Sequence, residues 1–380
     1  MNNIEAQLNT ILIKIAMEIS ITQKMLDEAI DSYEAVGKWL GSGIEYDVRI
    51  TPQGSMNLGT TIKPISDKDD YDIDLVCMLE NGQQLASIDI KNIVGKRLME
   101  HKIYRDKILA EGEGKRCWKM QYNSFHLDIL PCVPRILYNE PNFTDIRLTH
   151  KISSSVYEDR FSNPYGYKKW FEMRMINVLE KEKESFAVRN KMEIEDVPTF
   201  RVKTPLQIAI QLLKRHRDIY FQDDENAPIS IIITTLAAKA YNGKENVYEA
   251  IAEILNHMRD FIEIRNGVYW VQNPVMSEEN FADKWQQYPE RKEAFFDWLM
   301  KAREDFIINP LKVNGLNALS SIFKKSLGEA PVKRAFNSYG DDMLKARNEG
   351  NLYSTGLTTG LSTKETVGAT KVKGHTFFGE

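Results

Sequence analysis

Cysteine is scarce in this chain of 380 residues, where Cys77, Cys117 and Cys132 are the only three. Their irregular spacing excludes a disulfide framework, and without a C-x-x-C pair they offer no zinc site, so a reducing cytoplasm is the expected compartment. Long apolar runs are missing as well. No stretch approaches the ~18 residues that span a bilayer. No charged-then-apolar leader opens the chain, so a soluble, unprocessed protein without a membrane partner is expected. Charge of one sign is not in excess either: 50 basic residues face 54 acidic ones, a net charge of −4. Such balance argues against broad attraction to long nucleic acid. Internal repeats are absent. Hydrophobic residues are abundant at 42%, ample for packed cores and, at this length, for two domains.

Along the chain, Ile4, Leu8, Ile11, Leu12 and Ile15, then Ile21, Met25, Leu26, Ile30 and Ala35, recur at helical spacing and predict one long or two broken amphipathic helices. After Gly41-Ser42-Gly43 the pattern turns to short extended pieces at 46–51, 71–79, 115–122 and 125–131, interrupted by a helix over 88–109. That mixture predicts an α+β core. From about Tyr165 onward helical periodicity dominates, and Thr204-Pro205-Leu206-Gln207 marks one start, with Thr as cap, Pro at the first position and Gln closing a capping box. The expected division is a core with its N-terminal helices over 1–190, a helical domain over 191–345 and a flexible tail over 346–380. From Gly350 onward the tail holds six Gly and seven Thr with little apolar periodicity, too little to offset the entropy of ordering it.

The chemistry-bearing segment is Asp70-Tyr71-Asp72-Ile73-Asp74-Leu75-Val76-Cys77. A strand sends alternate side chains to one face, so Asp72 and Asp74 lie side by side while Ile73, Leu75 and Cys77 turn to the core. Spacing alone does not single out this pair, because Asp67/Asp69 and Asp70/Asp72 repeat it, and a solvated acidic loop has the same look. A further carboxylate stands in Phe125-His126-Leu127-Asp128-Ile129, where alternation buries the apolar residues and projects Asp128 opposite. An unpaired charge among such residues is costly. As a third ligand beside Asp72 and Asp74, Asp128 would also serve as base for an acceptor hydroxyl; an exposed Asp on an edge strand is the structural alternative. Nucleotidyl transfer needs such a set, since two divalent ions ~4 Å apart neutralise a triphosphate and align its attacker. Upstream, Gln53-Gly54-Ser55 offers a glycine that lets backbone N–H groups approach a phosphate and a hydroxyl that adds a donor, although ordinary turns use the same residues.

The order Gly54-Ser55, then Asp72-x-Asp74, then Asp128 resembles the signature of the DNA polymerase β-like nucleotidyltransferase superfamily. Gln53-Gly54-Ser55, Lys203-Thr204-Pro205-Leu206-Gln207, Leu213-Lys214-Arg215-His216-Arg217-Asp218 and Asn280-Phe281-Ala282-Asp283-Lys284-Trp285 narrow the resemblance to the bacterial cGAS/DncV-like nucleotidyltransferases (CD-NTases). It implies a polymerase β-like lobe with a mixed sheet beside a C-terminal helical lobe like those of cyclic GMP-AMP synthase and oligoadenylate synthetase. It also implies Mg2+ or Mn2+ as two bound ions on Asp72, Asp74 and Asp128. Ribonucleoside triphosphates, ATP among them, are the implied substrates, and a cyclic di- or trinucleotide for antiphage (CBASS) signalling, read by a downstream effector, is the implied product. Transfer to an RNA end or a protein, or a silent nucleotide-binding module, remain the alternatives.

In the helical half, Gln207, Gln211, Lys214 and Asp218 share a polar stripe opposite Leu206, Ala209, Ile210 and Leu213, so Lys214 is expected to point away from its own core. Ser230 follows Pro228 in the first turn of a helix, where an anion or a simple cap would be equally at home. By resemblance, Lys214 and Ser230 clasp the donor triphosphate, with Lys203 or Arg217 as alternatives. Some relatives have a tail joined to a target by a ubiquitin-transfer-like conjugating enzyme. The ending Phe377-Phe378-Gly379-Glu380 suits such capture, though it closes on Glu rather than Gly and an unstructured terminus accounts for it equally.

Overall fold

The computed structural model describes residues 3–66, 70–135, 144–191, 202–222, 224–354, 361–363, 365 and 369–373. The chain forms two compact units, one of 21–173 with 273–279 and one of 1–20, 174–272 and 280–380.

The first unit is built on a mixed sheet. Its strands are β1 (Val48–Gln53), β2 (Tyr71–Leu79), β3 (Trp118–Gln121), β4 (Phe125–Pro134), β5 (Ile146–Lys151) and β6 (Tyr157–Ser162). They run in the order β1-β2-β4-β5-β6, with β3 also on β4. Only β2 and β4 pair in parallel; every other pairing is antiparallel. Alternation sends Ile73, Leu75, Cys77, Phe125, Leu127 and Ile129 to one face, all at 3% exposure or less. There they pack with the buried residues of α2 (Gln23–Gly41), α4 (Ser87–Glu100) and α5 (Lys102–Glu111). The expected single helix over 88–109 is these last two, broken at His101, whose extended backbone ends α4. Strands β5 and β6 were not anticipated. β6 is charged and mostly exposed, an edge strand with no apolar face to betray it.

The N-terminal helices part company. Thr22 caps α2 by accepting from the Met25 N–H, whereas α1 (Asn3–Ile19) belongs to the other unit. Leu8, Ile11, Leu12 and Ile15 are fully buried there. Gln7 donates to the Tyr339 hydroxyl at 3.0 Å and Lys14 pairs with Asp342 at 2.6 Å, both on the helix Glu329–Asn348. By contact the chain divides at Ser20 and Arg174, because α1 finds its apolar partners among C-terminal helices.

The second unit is helical. α8 (Pro205–Phe221) carries the expected capping box, with the Thr204 Oγ1 accepting from the Gln207 N–H and the Gln207 Oε1 accepting from the Thr204 N–H. The polar stripe of α8 departs from expectation: Gln207, Gln211 and Lys214 are 5%, 0% and 6% exposed. Helix α1 packs against α8, and Lys203 donates to both the Ser20 hydroxyl and the Gln211 side-chain Oε1, at 2.9 and 3.2 Å. Polarity on that face marks a buried hydrogen-bond network, not a solvated surface. Within the expected tail, Tyr353–Ser354 pairs with Leu361–Ser362 and Thr370–Lys371, and Leu352 is buried. The Phe377–Glu380 ending and the Asp67/Asp69 pair lie outside the described residues.

Candidate active site

The face of the sheet opposite the helices gathers the carboxylates. Asp74 lies across from Asp128 in the parallel β2–β4 register and from Gln53 in the antiparallel β1–β2 register. Asp72 occupies the preceding position on the same face. Three of the predicted residues thus form one row across three strands, Gln53, Asp74 and Asp128, with Lys119 of β3 extending it on the far side. Neighbours distinguish the members of the acidic run. Asp70 is held by His126, its Oδ2 at 3.2 Å from Nε2, and by Gln121. Asp72 is exposed.

Gly54 closes the row. Its φ is +63°, and a Cβ there would stand 2.5 Å from Asp74 Oδ2, so the turn tolerates neither a side chain nor the strain an L residue would carry. Ser55 shares a hydrogen bond of 3.1 Å with Thr61, which holds the hydroxyl beside the turn.

Asp128 is largely enclosed, its side chain 18% exposed. Its Oδ2 accepts from the Cys117 thiol at 3.2 Å and lies 4.0 Å from Lys119 Nζ, while Oδ1 is buried with no partner. Burial pushes this carboxyl above its usual range, and the charge of Asp72 adds to that; Cys117, Lys119 and His126 act against it. Clustered like charges with one orphaned oxygen want a cation. Among the described residues no three His, Cys, Asp or Glu close around one point as a complete ligand shell. Mg2+ does not require one, since it is usually bound by one or two carboxylates and completed by water and substrate phosphates. The donor set, the orphaned oxygen and the glycine cradle fit such an ion.

Lys214 and Ser230 belong to the helical unit. Ser230 opens α9 (Ser230–Ala240), and its hydroxyl accepts from Arg217 Nη1 at 2.8 Å; the same guanidinium donates to the Pro228 carbonyl at 3.2 Å. No sequence motif marks Cys117 or Lys119, and only the β3–β4 register brings them to Asp128. Among the described residues no helix is long and apolar enough to cross a membrane.

A mixed sheet with a glycine turn ahead of one Asp pair and a third Asp on the neighbouring parallel strand is the build of a polymerase β-like nucleotidyltransferase. The model of the "Cyclic GMP-AMP synthase DncV-like, nucleotidyltransferase domain" family matches residues 48–132. A c-di-GMP synthase of Roseivirga ehrenbergii is 31% identical over 392 aligned residues, spanning 100% of this chain and 99% of that protein. The cyclic dinucleotide synthase CdnG of Bradyrhizobium diazoefficiens is 26% identical, over 74% of this chain and 70% of its own. The solved CdnG structure in complex with GTP superposes with a TM-score of 0.69 at 21% identity, covering 88% of this chain and 99% of that one. The chain belongs to the bacterial cGAS/DncV-like nucleotidyltransferases, enzymes that make cyclic oligonucleotide second messengers. That family is divalent-metal dependent and works on nucleoside triphosphates.

Proposed function

We propose that this enzyme joins GTP through successive nucleotidyl transfers into a guanine-containing cyclic dinucleotide, with Asp72, Asp74 and Asp128 as its metal ligands. The carrying observation is the row in which Asp74 and Asp128 stand side by side on parallel strands against Gly54. Guanine as the base rests on the full-length c-di-GMP synthase relative and on the CdnG structure with GTP. Two Mg2+ or Mn2+ ions would supply charge neutralisation and activation of the acceptor hydroxyl. Gln53, Gly54 and Ser55 then present backbone N–H groups and a hydroxyl to the donor triphosphate. Asp128, whose carboxyl burial pushes upward, accepts the proton of the acceptor hydroxyl. Within the helical unit, Lys214 and Ser230, the latter together with Arg217, are the proposed cationic and hydroxyl donors to phosphate.

The product belongs to antiphage (CBASS) signalling and is read by a downstream effector. The ending Phe377-Phe378-Gly379-Glu380 is offered to a ubiquitin-transfer-like conjugating enzyme; equal modification of the full chain and of a chain ending at Tyr353 would remove that partner from the account. The activity is tested with all four labelled ribonucleoside triphosphates and Mg2+ or Mn2+, followed by phosphatase and mass spectrometry. A phosphatase-resistant product containing guanine is expected. A cyclic product without guanine would overturn the base assignment, and a linear product would overturn cyclisation.

A further inference from the structure

The loop that precedes β3 is built around one thiol. Lys91 on α4 is fully buried, and its Nζ donates to the Gly114 carbonyl at 2.6 Å. Trp118 returns a hydrogen bond from Nε1 to the Lys91 carbonyl at 3.0 Å, and Glu113 bridges to Trp118. A buried ammonium is costly, and burial lowers the pKa of this one, so the anchor matters to whatever it holds. It holds Gly114, where an added Cβ would lie 2.7 Å from Cys117 Sγ. The missing side chain is the space the thiol occupies. Cys117, 7% exposed, points from there to Asp128 Oδ2 at 3.2 Å.

We infer that Cys117 is a positioning residue for Asp128, its thiol fixing Oδ2 and so the direction in which the partnerless Oδ1 faces. This rests on the reading of Asp128 as a metal ligand. A thiol suits the task because it donates without bringing charge, orienting the carboxylate while leaving intact the negative charge that attracts an ion. A cation in that position would compete with the metal; Lys119 stands off at 4.0 Å. Lys91, Gly114, Cys117 and Asp128 form a chain of contacts running from the helix layer to the carboxylate row.

The test measures Mn2+ binding by the loss of the free-ion EPR signal, with a non-hydrolysable GTP analogue present. Cys117→Ala, which removes the donor, and Gly114→Ala, which leaves the thiol but displaces it, should each weaken Mn2+ binding about tenfold, the lower end for partners of metal ligands. Cys117→Ser should restore most of it. In turnover the half-saturating Mg2+ concentration should rise for both Ala variants while KM for GTP holds, a split that a merely structural role would not produce. Thermal melts check folding, and Cys117→Val replaces Cys117→Ala if the latter unfolds. Wild-type Mn2+ binding in folded variants of both positions overturns the positioning role. Asp128→Asn separates the two claims: if it too binds Mn2+ normally, the reading of Asp128 itself falls.

Discussion

Two rows of polar residues, one on the β2–β4 sheet and one on α8, invited the same reading from sequence and turned out differently. On the sheet, Asp72 and Asp74 project from strands whose alternate residues are buried, and they do stand on the face away from the helices. On α8, Gln207, Gln211 and Lys214 share a stripe opposite the apolar residues, yet all three are buried, and α1 packs against this helix. A strand has two faces, so burying one identifies the other. A helix can be packed on several sides, and polarity says only that the covering neighbour must satisfy hydrogen bonds.

Substitutions that separate activity from stability sharpen this contrast. Asp72→Asn with Asp74→Asn should lower product formation at least about 1,000-fold, since metal charge stabilisation amounts to several kcal/mol. The melting temperature should hold or rise, because the change relieves like-charge repulsion. A substantial fall in melting temperature would place the pair among structural residues. Gly54→Ala should cost about 100-fold in kcat/KM through displacement of Asp74, and also about 1–2 kcal/mol of stability through its left-handed backbone, measurable by chemical denaturation.

The covered stripe makes the opposite forecast. Burial lowers the Lys203 ammonium to about 8, from 10.5. Below about 8 the folded and unfolded chains both bind the proton. Between 8 and 10.5 the unfolded chain binds more, so this residue makes stability rise with pH in that window. Relative to Lys203→Met, the wild type should therefore gain about 2 kcal/mol between pH 7 and 9.5 in urea titrations. A constant difference would show that the ammonium is solvated. Smallest is Ser55→Ala: a neutral hydroxyl donor is worth about 1 kcal/mol, so KM for the triphosphate should rise about fivefold with kcat unchanged. An unchanged KM would move the phosphate contact away from this turn.

Much of the site was legible for the same reason its face was. Strands β2 and β4 declare themselves by alternation, and Thr204 announces α8 through its cap. Spacing could not choose between Asp70/Asp72 and Asp72/Asp74, because that choice depends on His126 and Gln121, which reach Asp70 from the neighbouring strands. Cys117 was invisible for a related reason. It lies eleven positions before Asp128, and only the β3–β4 register and the absent side chain of Gly114 bring the thiol to the carboxylate. Helix α1 was legible as a helix but not as a partner of the C-terminal helices, because amphipathic spacing names a buried face and not what buries it.

The roles of Asp72, Asp74 and Asp128 depend on where the metal sits. Crystals grown with Mn2+ and a non-hydrolysable GTP analogue, measured at the manganese edge, locate the ions directly. Anomalous peaks within coordination distance of Asp72, Asp74 and Asp128 are predicted; peaks elsewhere, with these carboxylates facing only water, would contradict those roles.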